Sequence, residues 1–228
     1  MSFTIYAVTS NSIGMNQKNR LPLKGESKKG EKNMNTQTNS LDLRKQYSDI
    51  FKLVEQTLEI PEGYKLASIK DTIQQNGKPV LLIRYTPESN KTDLYGEHFS
   101  VTVEKETNYI LGFTNMNRKF NLIDNKLLLT HEETEQIAKD FLTRLEPGYF
   151  EKLENLWVDQ HDEEIIINDK KLTISGMKYK CYLPETENYT WVIVGSDGDI
   201  VTFERGIIWV NSRVTEKWLH DSYLDEQF

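Results

Sequence analysis

Residues 97–113, Glu97-His98-Phe99-Ser100-Val101-Thr102-Val103-Glu104-Lys105-Glu106-Thr107-Asn108-Tyr109-Ile110-Leu111-Gly112-Phe113, decide how this chain is read. Phe99, Val101 and Val103 alternate with Ser100 and Thr102, and a period of two puts the first set on one face of a half-buried strand. Glu106-Thr107-Asn108 supplies a turn, and Tyr109–Phe113 returns as the second strand of a hairpin. A further strand, Val80–Tyr85, follows Asn76-Gly77 upstream.

The segment before these strands has a different period. Leu43, Tyr47, Ile50, Phe51, Val54 and Leu58 form one apolar stripe on a helix over residues 42–58, capped by Asn39 or Ser40 and ended by Pro61-Glu62-Gly63. The same order of parts recurs downstream. Thr130 and Glu133 form a capping box, and Ile137, Ala138, Phe141, Leu142 and Leu145 form a stripe that ends at Pro147-Gly148. Strands are expected at 156–158, 164–167, 172–174 and 178–183. A last hairpin pairs Tyr189–Val194 with Ile200–Phe203 around Ser196-Asp197-Gly198-Asp199. Phe99, Val101, Val103, Ile110 and Phe113 fall opposite Tyr189, Trp191, Ile193, Ile200 and Phe203 at one offset. The expectation is an α+β fold of two repeated units, each a helix packed on an antiparallel sheet, plus a C-terminal helix from Ser212 to about Leu224. The domains are then an N-terminal arm over residues 1–38, a first unit over 39–125 and a second over 126–228.

The hairpin 97–113, the helix start Leu129–Ala138 and the second turn Gly195–Ile200 resemble PepSY-like domains. In that family a valine–aspartate–x–x–threonine–glycine–x–isoleucine pattern crosses the hairpin turn, and a Ser/Thr with two acidic residues opens the helix. The resemblance runs over residues 42–210. It implies a non-catalytic module that binds or inhibits a partner protein, with no active-site residue to carry over. A second resemblance is confined to the first 22 residues. Ile5–Val8, Asn11–Met15 and Asn19–Pro22 are similar to the opening of dihydrofolate reductases, but Leu23 replaces the expected Trp. No phosphate-binding glycine pair follows, so no activity is assigned from it.

Composition narrows the function classes. The 228 residues carry 28 Lys+Arg against 35 Asp+Glu, a net charge of −7, which argues against general nucleic-acid binding. Residues 1–33 carry +4, which leaves −11 on residues 34–228. The mean hydropathy is −0.61, and no run approaches the ~20 apolar residues of a membrane helix. Met1–Val8 is apolar but short, and the basic residues follow it. That order is wrong for a secretory signal, so a cytoplasmic location is expected.

Motifs that carry chemistry are weak. His131-Glu132-Glu133-Thr134-Glu135 departs from the zinc-binding HExxH spacing at its last residue and reads as a helix cap. His161-Asp162-Glu163-Glu164 reads as a solvated acidic turn, and Cys181 as a strand cysteine without a local activating base. No catalytic, cofactor-binding or metal-binding residue is expected. The aromatic residues crowd the second half, and partner contact is assigned to Trp157, Asp162, Glu163, Glu164, Trp218 and Tyr223. The functional expectation is a protein-binding module that inhibits or regulates a partner, itself basic, with homodimerisation through edge strands left open. The alternatives are an immunity or counter-defence protein, and a metal-dependent hydrolase using His131 or His161.

Overall fold

The computed structural model describes residues 40–88, 94–122 and 127–228. The N-terminal arm and the reductase-like opening lie outside them.

A helical stretch over residues 40–46 breaks at Tyr47 and continues as α1, Ser48–Thr57. Backbone bonds from Tyr47 N to Leu43 O (2.9 Å) and from Phe51 N to Tyr47 O (3.1 Å) carry the ladder across the break. Four of the six stripe residues are buried, Ile50, Phe51, Val54 and Leu58 at 6% exposed or less, while Leu43 and Tyr47 are half-buried. Helix α2, His131–Leu145, opens with the capping box. Thr130 Oγ1 accepts from Glu133 N, and Glu133 Oε2 accepts from Thr130 N (2.8 Å).

Eight strands follow the chain as β1 Tyr64–Gln75, β2 Lys78–Pro87, β3 His98–Glu104, β4 Tyr109–Met116, β5 Glu154–Ile167, β6 Lys170–Leu183, β7 Asn188–Val194 and β8 Ile200–Ile207. They form one antiparallel sheet in the order β1-β2-β3-β4-β8-β7-β6-β5. The expectation of two repeated helix-on-sheet units is therefore corrected. The seam is a ladder between β4 and β8, with Gly112 opposite Glu204, Phe113 opposite Phe203 and Thr114 opposite Thr202. Local sequence does not encode that seam, because its partners lie some ninety residues apart. Both helices lie on one face of the sheet and share one core. Ile50, Phe51 and Val54 of α1 and Ala138, Phe141 and Leu142 of α2 pack on Leu81, Ile83, Phe99, Val101, Phe113, Val192, Val194 and Phe203.

The single repeat offset also fails. Val101 faces the helices, whereas Trp191, its expected counterpart, lies in a separate cluster with Ile193, Val201 and Ile207. A slip of one residue sends a strand's side chains to the opposite face, and Val192 and Val194 take the helix-facing places instead.

Two further expectations change. The four short strands over 156–183 are one long hairpin, β5–β6, joined by Asn168 (φ 50°) and Asp169 (φ 61°), the positive pair a two-residue turn requires. The presumed acidic turn 161–164 is thus mid-strand. Strand β1 has no period-two signature, since the β1–β2 register shifts twice, between Leu66 and Ser68 and between Lys70 and Ile73.

After a two-strand ribbon of β9, Trp209–Val210, and β10, Ser212–Arg213, the chain runs without a helix or strand until α3, Asp221–Gln227. The helix expected from Ser212 is absent over residues 212–220, because side chains there bond to the sheet and its turn. Arg213 forks onto Glu204 (2.6 and 3.0 Å), Thr215 Oγ1 donates to Asn76 Oδ1 (2.7 Å), and Trp218 Nε1 donates to Gln74 O (2.7 Å). This segment and α3 cover the second face of the sheet, where Trp218, Leu219 and Leu224 pack on Ile73, Val80 and Leu82. Strand β2 is therefore apolar on both sides.

Candidate functional site

On the helix side, the end of α1, the facing side of α2 and the central strands line a cavity of about 600 Å³ that is open to solvent. Phe99, Phe113 and Phe141 are among its apolar lining. Ile137, Asp140, Phe141 and Arg144 reach it from α2 because spacings of three and four put them on one side of a helix. Glu59, Glu62, Asp140 and Asp199 stand at it against Lys119 and Arg144. Lys119 pairs with Asp197 (3.4 Å) and with Asp199.

Asn115 also lines the cavity. It is 6% exposed, and its Oδ1 has no hydrogen-bond partner. A buried amide oxygen left unpaired costs about 1–3 kcal/mol; Tyr85 Oη, Asn188 Oδ1 and Ser196 Oγ are likewise unpaired, but they do not line this cavity. Asn117, just beyond β4, donates to Tyr64 Oη (3.1 Å). Burial, with the charge of Glu97 adding to it, pushes the Tyr64 hydroxyl above its ordinary pKa and keeps it neutral.

The second face holds a buried polar network. Arg84 forks onto Asp221 (2.6 and 2.9 Å), which also accepts from Tyr95 N (2.5 Å). His98 Nδ1 lies 2.8 Å from Ser100 Oγ, and His98 Nε2 lies 3.6 Å from Asp221. Serine, histidine and aspartate thus stand in the order of a hydrolytic triad. Ser100, however, is 0% exposed, and Arg84 Nη1 approaches its oxygen at 3.4 Å, so a substrate carbonyl has no position from which to react. Burial, then the Arg84 cation, push the His98 pKa down to about 3, which leaves the ring neutral. Beside it, His220 sits 3.6 Å from Glu204 and 3.9 Å from Glu163, and His161 pairs with Glu163 (3.3 Å). Burial alone would raise the Glu204 pKa, but His220 and Arg213 outweigh it and hold it at about 2. A cleft of about 150 Å³ between Tyr95, His98, Glu163 and Asp221 opens onto this network. Among the described residues, no three His, Cys, Asp or Glu side chains stand together as ligands for one metal ion.

The six residues assigned to partner contact do not converge. Trp157 is exposed on the edge strand β5, under the ammonium of Lys180. On the same strand Asp162 accepts from Gln160, Glu164 pairs with Lys171 (2.7 Å), and Glu163 belongs to the histidine network. Trp218 is 7% exposed and stacks edge-on with Tyr223, 5.0 Å between centroids. Cys181 is buried, and burial pushes its thiol up to about 12. His131 opens α2 and is exposed.

Sequence reasoning missed Asn115 and the pairing of His98 with Asp221. The signal for the second was present in the polar phase His98, Ser100, Thr102. It reads as solvent-facing, yet all three are 2% exposed or less because the C-terminal segment lies over them.

Comparison with protein-family models and with curated proteins finds no match. No helix among the described residues is long and apolar enough to cross a membrane.

Proposed function

We propose that the protein is a non-enzymatic binding module that inhibits or regulates a protein partner, and that the cavity between α1 and α2 is its contact site. The observation that carries this reading is the unpaired Asn115 Oδ1 in an apolar-lined cavity. An extended partner segment brings the missing N–H donor, and an apolar side chain next to it displaces water from Phe99 and Phe113. Four carboxylates against two cations at the cavity favour basic residues flanking that side chain. The charge of −11 over residues 34–228 steers such a partner at low ionic strength. The setting we propose is the cytoplasm, where a buried free thiol such as Cys181 stays reduced.

The test is a titration of isotope-labelled protein with a peptide of alternating Leu and Lys, followed by NMR. The expected result is shifts in the Asn115 side-chain amide and in the backbone of Glu59–Glu62 and Ile137–Arg144, weakening from low to physiological ionic strength. Shifts that avoid the cavity, or binding indifferent to salt, would refute the proposal.

A further inference from the structure

On the opposite face from that cavity, β6 directs Lys178 and Lys180 into an aromatic surface. The Lys180 ammonium lies 5.3 Å from the ring centre of Trp157, 4.9 Å from Tyr189 and 5.0 Å from Trp209. Lys178 lies 4.0 Å over Trp191. Trp157 and Trp209 are 42% and 46% exposed, so the wall of this cage is open to a partner.

Among the described residues, Lys180 has no carboxylate acting on it, whereas Lys178 feels Glu204 and Glu163 at a distance longer than an ion pair. Some lysines elsewhere have ion-pair partners: Lys78 with Glu104 (3.0 Å), Lys152 with Glu185 (3.4 Å) and Lys171 with Glu164 (2.7 Å). Among the described residues, no carboxylate lies within 4.0 Å of Lys178 or Lys180. Asp159 stands directly across the ladder from Lys178, yet its Oδ1 accepts from Gln160 N (2.8 Å). Ring faces attract a cation but do not neutralise it. Burial lowers the pKa of both lysines, that of Lys178 to about 8.

We infer that this surface docks an acidic segment of a partner protein, a carboxylate seated on Lys180 and Lys178 with an apolar neighbour against Trp157 and Trp209. A carboxylate gives Lys180 the direct counter-ion it lacks, and the rings supply rigid contact area at low entropy cost. The site is independent of the cavity between the helices: it lies on the other face of the sheet and has the opposite charge preference.

The experiment uses the full chain and a fluorescein-labelled peptide of alternating Glu and Leu, read by anisotropy and by quenching of the exposed tryptophans. Binding is expected to weaken about tenfold in Lys180→Met, which keeps the apolar stem, and to recover in Lys180→Arg. Trp157→Ala is expected to weaken it as well, and Asn115→Leu to leave it unchanged. Thermal melting confirms that each variant is folded. Absence of acidic-peptide binding, equal binding by Lys180→Met, or binding of oligo(dT) in preference to the peptide overturns the inference.

Discussion

Phe113 on β4 stands directly opposite Phe203 on β8, their ring centres 6.4 Å apart, and Phe141 from α2 packs edge-on against both at 5.9 and 5.2 Å. This contact joins the strands of residues 64–116 to those of residues 154–207 and ties both to a helix. Phe203→Ala should therefore cost about 3–5 kcal/mol, the range for emptying a buried aromatic site. Because one sheet and one core span the seam, urea unfolding of the wild type should show a single transition by fluorescence and circular dichroism alike. Two separated transitions would restore independent units.

Gly112 lies beside that seam, and its requirement is space. A Cβ there would meet Phe203 O at 2.6 Å, Leu219 Cδ1 at 3.1 Å and Glu204 Cα at 3.2 Å. Two of these are backbone atoms of the paired strand, which cannot retreat without parting the ladder. Gly112→Ala is expected to lower stability by about 1–3 kcal/mol, checked by the midpoint of urea denaturation.

Asp221 anchors the C-terminal segment through Arg84, whose side chain is 4% exposed. Asp221→Asn leaves the buried guanidinium without its counter-charge, and losses of about 3–5 kcal/mol accompany such breaks. Hydrogen exchange at the Tyr95 amide, which donates to Asp221, should accelerate first. Unchanged exchange there would contradict the anchoring role.

The histidines of the second face respond to pH with opposite sign. His98 has a folded pKa near 3 against 6.5 for a free ring, so its contribution is complete above 6.5 and is lost as pH falls. His220 is opposed by burial, but Glu204 and Glu163 outweigh that and hold its pKa above 6.5. Its contribution is complete below 6.5 and is lost as pH rises through the folded value. Glu204, at about 2 when folded, contributes above 4.5 and loses that contribution as pH falls toward 2. Chemical denaturation across pH should show acid lability that begins near 6.5 and steepens below 4.5. His98→Gln should flatten the first part only.

Asn115→Leu tests whether the cavity is kept for binding. Replacing an unpaired buried amide with an apolar group of similar size should raise stability by roughly 1 kcal/mol while abolishing binding of the Leu/Lys peptide. A destabilised variant would show instead that Asn115 serves the fold.

The elements that were legible in the sequence are those whose physics is local. The stripe Ile50-Phe51-Val54-Leu58, the reciprocal cap of Thr130 and Glu133, and the alternation Phe99-Val101-Val103 each satisfy their own backbone or bury their own face within a few turns or residues. The long β5–β6 hairpin was harder. Its turn, Asn168-Asp169, carries no glycine, and its exposed edge strand has little apolar alternation.

By itself the sequence determined two amphipathic helices, a set of antiparallel hairpins and an acidic chain without a membrane helix among its described residues. Only the tertiary structure decided that the hairpins merge through Phe113 and Phe203 and that the C-terminal segment covers the second sheet face, both its apolar part at Val80 and Leu82 and its polar part at Arg84. It alone left Asn115 unpaired in a cavity and Lys180 among three rings. The reason is range. Helix stripes and caps act over three or four residues, whereas the β4–β8 ladder and the Asp221–Arg84 pair join positions some 90 and 137 residues apart, which no local period records.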